Sequence, residues 1–147
     1  MWDKLTEKLK SILETNVLIQ NTYTYEASDI SGTPVATITP SANESDYTTT
    51  TENTRIYAYM LRLYVDRKSG ADNEYQSEMA MKELVDSVLD DLDKNHRLSG
   101  LSTKTGYTYL FLEASPSVWG YAGRENEYRV AEIIIRSHFS VDINQIT

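Results

Sequence analysis

A chain of 147 residues, 40% hydrophobic and 24% charged, is sized and composed for one self-sufficient globular core. A disordered, collagen-like or membrane-spanning protein would have a different composition. Lys and Arg number 14 against 22 Asp and Glu, and the resulting formal charge of −8 is repelled by phosphate backbones, so nucleic-acid grip is not expected. Cysteine is absent, which excludes disulfides, thiolate metal sites and cysteine nucleophiles together and fits assembly in a reducing cytosol.

The opening Met1-Trp2-Asp3-Lys4-Leu5-Thr6-Glu7-Lys8 mixes both charge signs where a signal peptide needs an uninterrupted apolar stretch. No apolar run approaches the ~20 residues that cross a bilayer, so no membrane partner is expected. The sequon Asn43-Glu44-Ser45 is accordingly read as accidental. Tyrosine is over-used, 11 against 2 Phe and 2 Trp. Its apolar ring and hydroxyl suit half-wet sheet faces and interfaces.

Trp2, Leu5, Leu9, Ile12 and Leu13 recur at three- and four-residue spacing and predict a short amphipathic helix over 2–14. Residues 17–25 favour extended structure. Pro34 to Pro40 reads as a short strand bracketed by prolines, and those prolines place it at an edge. Residues 41–53 have almost nothing apolar to bury and predict a mobile loop or a long hairpin tip. Thr54 to Asp66 is the strongest strand, with Tyr57, Tyr59, Leu61, Leu63 and Val65 on one parity. The other parity carries Ile56, Ala58, Met60, Arg62 and Tyr64, so the strand is expected to be covered on both sides. A break follows at Lys68-Ser69-Gly70.

Over Glu74 to Lys94 the positions Met81, Leu84, Val85, Val88, Leu89 and Leu92 form a helical stripe, about five turns in all. Its polar face holds Glu83, Asp86, Asp90, Asp91 and Asp93. Tyr107 to Ala114 predicts a strand, followed by Ser115-Pro116 and a turn at Gly120 to Gly123. The last strand, Glu127 to Val141, carries Ala131, Ile133, Ile135, Phe139 and Val141 on one parity and closes an antiparallel hairpin. The expected fold class is α+β: a mostly antiparallel sheet of about four to five strands packed by one long helix and a short N-terminal helix, in a single domain over 1–147.

Several constellations suggest chemistry and fail on their own requirements. Asp91-Leu92-Asp93-Lys94-Asn95 places oxygen donors at alternate positions, as a calcium loop does, but that loop needs Gly at its sixth position and Glu at its twelfth. His96 and Ser102 stand there instead. Gly100-Leu101-Ser102-Thr103-Lys104-Thr105-Gly106 leads into a strand, whereas a phosphate cradle opens a helix. His96 and His138 are the only histidines, with no His-Glu-x-x-His spacing, and no Gly-x-Ser-x-Gly elbow supports a serine triad. Glu113 and Glu132 are better explained by pairing with Arg62, Arg129 or Arg136 across strands than as an acid–base pair. No enzyme activity, metal or cofactor is expected.

The order of elements carries more information than any motif. A short N-terminal helix and a long polar loop precede the strand Arg55-Ile56-Tyr57-Ala58-Tyr59-Met60-Leu61-Arg62-Leu63-Tyr64-Val65. A long helix and a closing hairpin ending in Tyr128-Arg129-Val130-Ala131-Glu132-Ile133-Ile134-Ile135-Arg136 follow. This order resembles phage tail terminator and tail-completion proteins over most of the chain. The resemblance implies a virion structural protein assembled in the host cytoplasm and placed at the head-proximal end of the tail. Such proteins form a homo-oligomeric ring, six-fold in the family, that caps the tail tube protein, ends its polymerisation and offers a surface to head connector or neck proteins. DNA passes through the lumen without specific binding.

On that reading Asp46, Tyr47 and Thr49 in the polar loop are candidates for docking on the tube or a neighbouring subunit. Tyr57, Tyr59 and Arg62 are candidates for sheet contacts between subunits, which in a ring are heterologous. Asp86, Asp90 and Asp93 are candidates for an acidic lumen that repels DNA. The alternative within the same class is a neck or head-closure connector ring, told apart by its partner. A small carboxylate enzyme and a host-side binding module are the rivals from other classes, and a monomer with a deep polar pocket would favour either.

Overall fold

The computed structural model describes residues 1–27, 30, 32–67 and 71–146. The break expected at Lys68-Ser69-Gly70 lies outside them. Helix α1 spans Trp2–Glu14, and strand β1, Asn21–Tyr23, follows. Strands β2 (Val35–Tyr47) and β3 (Glu52–Asp66) form a long hairpin. Helix α2 covers Ala71–Lys94, and β4 (Tyr107–Ala122) and β5 (Tyr128–Asp142) make the closing hairpin. The five strands lie in one sheet in the order β1-β2-β3-β5-β4, antiparallel except for β1 against β2. The α+β class, the short and long helices and the mostly antiparallel sheet are as the sequence predicts.

Helix α1 forms where the apolar spacing places it. Leu5, Leu9, Ile12 and Leu13 are buried on one stripe, and each contributes about 1.5–3 kcal/mol by leaving water. They meet the β3 parity of Tyr57, Tyr59, Leu61 and Leu63 and the β5 parity of Ile133, Ile135 and Phe139. From α2 come Met81, Leu84, Val88 and Leu92, so both helices cover the same face of the sheet. Asn16, buried beyond the end of α1, donates to Ser87 Oγ (2.9 Å) and Asp91 Oδ2 (2.8 Å) and so ties α1 to α2.

The opposite face corrects one expectation. Among the described residues it is covered only at one end, where Val35, Tyr64 and Val130 pack with Tyr23, Ile30 and Tyr128. Farther along, Ile56, Met60 and Ile134 remain half-buried, because among the described residues both helices lie on the other side. Apolar residues on both parities of β3 therefore do not mark a strand sandwiched between two layers over its whole length.

Two further boundaries differ. The stretch expected as a loop, 41–53, is mostly the outer half of β2 and the first residues of β3, with only 48–51 outside the strands. Ladder hydrogen bonds to β3 hold it extended without any apolar burial, which is the hairpin alternative and not the mobile loop. Pro116 does not end β4, which continues to Ala122 by absorbing a register shift between Pro116 and Trp119. The turn to β5 instead begins at Gly123, whose φ of +82° a side chain would resist.

Candidate functional site

The expected docking residues sit on the hairpin, and their environments differ. Asp46 and Tyr47 end β2 with exposed side chains, Tyr47 at 65%. Thr49 is exposed too, but its hydroxyl is engaged: it accepts from the backbone N–H of Thr51 (3.2 Å) and of Glu52 (3.0 Å). The Ile143 N–H donates to the Thr51 carbonyl at 2.9 Å, and Ser140 Oγ donates to Glu52 Oε1 at 2.7 Å. The hairpin turn is thus fastened to the end of β5, and Thr49 shapes it from within.

Tyr57 and Tyr59 are corrections. Both belong to the helix-covered face, with exposures of 3% and 0%, so neither is available to a partner. Trp2 packs edge-on against both rings at 4.9 and 5.0 Å. Burial pushes the Tyr59 phenol up to about 12. Their shared parity with Leu61, Leu63 and Val65 marks a face correctly; which side α1 covers is a tertiary outcome.

Arg62 lies on the other face and is occupied by two carboxylates, Glu132 at 3.1 Å and Glu26 at 3.0 Å. Burial alone would lower its pKa, and these two partners more than offset that and raise it. Arg62 and Glu132 are in direct cross-strand register, the pairing the sequence favours over acid–base work. Glu113 is opposite Arg136 in register but bonds diagonally to His138 Nε2 at 2.8 Å, while the His138 ring stacks on Phe111 at 4.1 Å. Arg129 reaches across to α2 instead, meeting Glu78 at 2.8 and 3.2 Å and donating to the Gly120 carbonyl. The Arg129 hydrogen bond holds the Glu78 carboxyl below the usual glutamate range despite partial burial.

Asp86, Asp90 and Asp93 are all exposed along one side of α2. Asp91, from the rejected calcium motif, turns inward and accepts from Asn16. His96, after the helix, points its Nδ1 at the Asp93 carbonyl (2.8 Å), and its own carbonyl accepts from the Tyr109 hydroxyl.

Sequence reasoning missed the outer edge of the closing hairpin. Leu110, Phe111, Val118 and Tyr121 of β4 are all exposed, at 45–64%. A register shift between Tyr109 and Phe111 carries Leu112 back to the core parity and turns Phe111 outward. The available signal was the unbroken run Tyr109-Leu110-Phe111-Leu112, apolar on both parities. A basic cluster at the start of β4 was also missed. The Arg55 guanidinium bonds the Tyr107 hydroxyl, Lys104 Nζ lies 5.9 Å from that ring, and Lys4 reaches Ser102 Oγ.

No protein-family model and no curated protein matches this chain. Among solved structures, a chain from the virion of a native gene transfer agent particle is similar over 92% of this chain and 94% of its own. The two share 10% identity, with a TM-score of 0.46.

Proposed function

We propose that this chain is a virion structural protein. In this reading it forms a ring that caps the end of a phage tail tube, ends its polymerisation and joins tail to head. Its work is assembly, not catalysis, and it takes no cofactor.

The observation that carries this reading is the pairing of element order with surface character. The order that gives the sequence its resemblance to tail terminators is the order of α1, the β2–β3 hairpin, α2 and the β4–β5 hairpin around one core. Among its exposed aromatic and aliphatic side chains, Tyr47 on β2 and Leu110, Phe111, Val118 and Tyr121 on β4 stand on strands at the sheet's margins, while Tyr75 and Met79 are exposed on α2. Apolar side chains exposed together on margins favour contact with another protein surface. The ordered hairpin end, with Asp46 and Tyr47 facing solvent, is the docking element for the tube or the next subunit. The exposed Asp86, Asp90 and Asp93 on α2 suit a surface past which DNA slides without being held.

Native mass spectrometry over a range of protein concentration tests the reading. A closed ring near the family's six subunits is expected, and the purified ring should stop elongation when added to growing tail tubes. A persistent two-fold dimer overturns the proposal, because an isologous contact has the wrong symmetry for a cap. A strict monomer that leaves tube growth unchanged also overturns it.

A further inference from the structure

We infer that neighbouring copies join by antiparallel pairing of the free edge of β2 on one with the free edge of β4 on the next. The inference rests on the ring reading above and names the contact that would build the ring.

The topology leaves two edges open. Among the described residues, β4 is the last strand of the sheet, and β1 covers β2 only at Val35, Ala36 and Thr37. Each step from β2 to β3, β5 and β4 is antiparallel, so β2 and β4 run in opposite directions. A second copy rotated about an axis along the strands therefore presents its β4 antiparallel to β2, the same relation that joins the strands inside each copy. Edge strands with unpaired backbone groups are natural templates for such addition.

The two edges also match in level. Followed across the ladders, Tyr47 lies level with Asn53, Val141 and Tyr107, while Ile38 lies level with Leu61, Ile133 and Pro116. Both free edges stop at one end of this span. On β2 the stop is Pro40, which has no N–H to donate, with the register shift beside it, and on β4 it is Pro116, likewise beside a shift. The free stretch of β2, Ala42–Tyr47, sits level with Tyr107–Glu113 of β4.

Side chains at matched levels are compatible. Asp46 meets Thr108, Glu44 meets Phe111 and Ala42 meets Glu113, so no two like charges stand opposite. Lys104, whose carbonyl accepts from the Tyr107 N–H, stands at the end where Asp46 arrives. Pairing would also cover Tyr47 and Phe111, two of the exposed aromatic side chains. The contact is heterologous, so it propagates around a ring, and the bulges and prolines on both strands limit it to one register.

The chain has no cysteine, so engineered thiols report this contact without background. D46C and T108C lie on exposed, level-matched positions, and facing strand residues are close enough for a disulfide. E44C with F111C provides a second pair at another level. After oxidation, an equimolar mixture of either pair is expected to give a mixed disulfide dimer that each single variant alone does not. The D46C/T108C double variant should give a ladder ending at the ring number seen in native mass spectrometry. Circular dichroism checks that each variant keeps the fold. Rings without a mixed disulfide from either pair overturn the edge contact and leave the ring reading standing. A symmetric disulfide dimer from T108C alone overturns both, as do monomers that form no disulfide at any concentration and leave tube growth unchanged.

Discussion

The hydroxyl of Tyr59, in the middle of β3, donates to the backbone carbonyl of Trp2 at 3.0 Å and lies 3.0 Å from Thr6 Oγ1. One phenol on the central strand thereby fixes the start of α1, a helix whose first residue has no side-chain cap of its own. Tyr59→Phe keeps the ring and the Trp2 stacking but leaves the carbonyl and hydroxyl without this partner. The expected loss is about 1 kcal/mol of stability, read from urea unfolding of the variant against the parent. The same phenol gives a titration signature. Burial raises Tyr59, Tyr64 and Tyr109 to about 12, so ultraviolet titration should leave a fraction of the tyrosines protonated after the exposed ones ionise. The neutral phenols' contribution is fully present below the ordinary tyrosine pKa and is lost as pH rises through about 12.

Asn16 holds three partners from a buried position: Ser87, Asp91 and, through its Oδ1, the Leu18 N–H at 2.9 Å. Asn16→Ala removes all three and leaves polar groups between α1 and α2 unsatisfied. A cost of about 1–3 kcal/mol is expected in equilibrium unfolding, more than a surface Asn would show.

The Arg129–Glu78 pair makes part of the stability depend on acid. The folded-state pKa of Glu78 is depressed, so its contribution is present above the ordinary glutamate value and is lost as pH falls through the depressed one. Thermal melts should show Tm falling over that acidic window. In Glu78→Gln the fall should be shallower, with a lower Tm at neutral pH.

The hairpin can be shortened at two places with opposite outcomes. Replacing residues 48–52, the five between the paired Tyr47 and Asn53, with a two-residue Asn-Gly turn keeps the β2–β3 ladder in register and should fold, losing only the turn and its hydrogen bonds to Ser140 and Ile143. Deleting 43–51 removes the outer half of β2 and exposes the edge of β3, including Asn53, buried at 1%. Lower Tm and self-association in size-exclusion chromatography are expected for the longer deletion alone.

Periodicity in the sequence determined α1 to its residue boundaries, placed α2, β3 and β5, and told which parity of β5 enters the core. An amphipathic stripe states its own geometry through the 3.6- or two-residue repeat, whereas β3, apolar on both parities, did not say which of its faces the helices cover. The sequence also determined that Glu132 is paired with an arginine, since cross-strand register follows once the two faces are known. Tertiary structure alone decided that 43–47 is strand, because ladder hydrogen bonds are backbone properties that leave no hydropathy pattern. It alone decided that Tyr57 and Tyr59 are inaccessible while Tyr47 and Phe111 are not. A tyrosine ring is equally at home under a helix or at an edge, and only the side on which α1 and α2 close, and the place where β4 slips its register, separates the two.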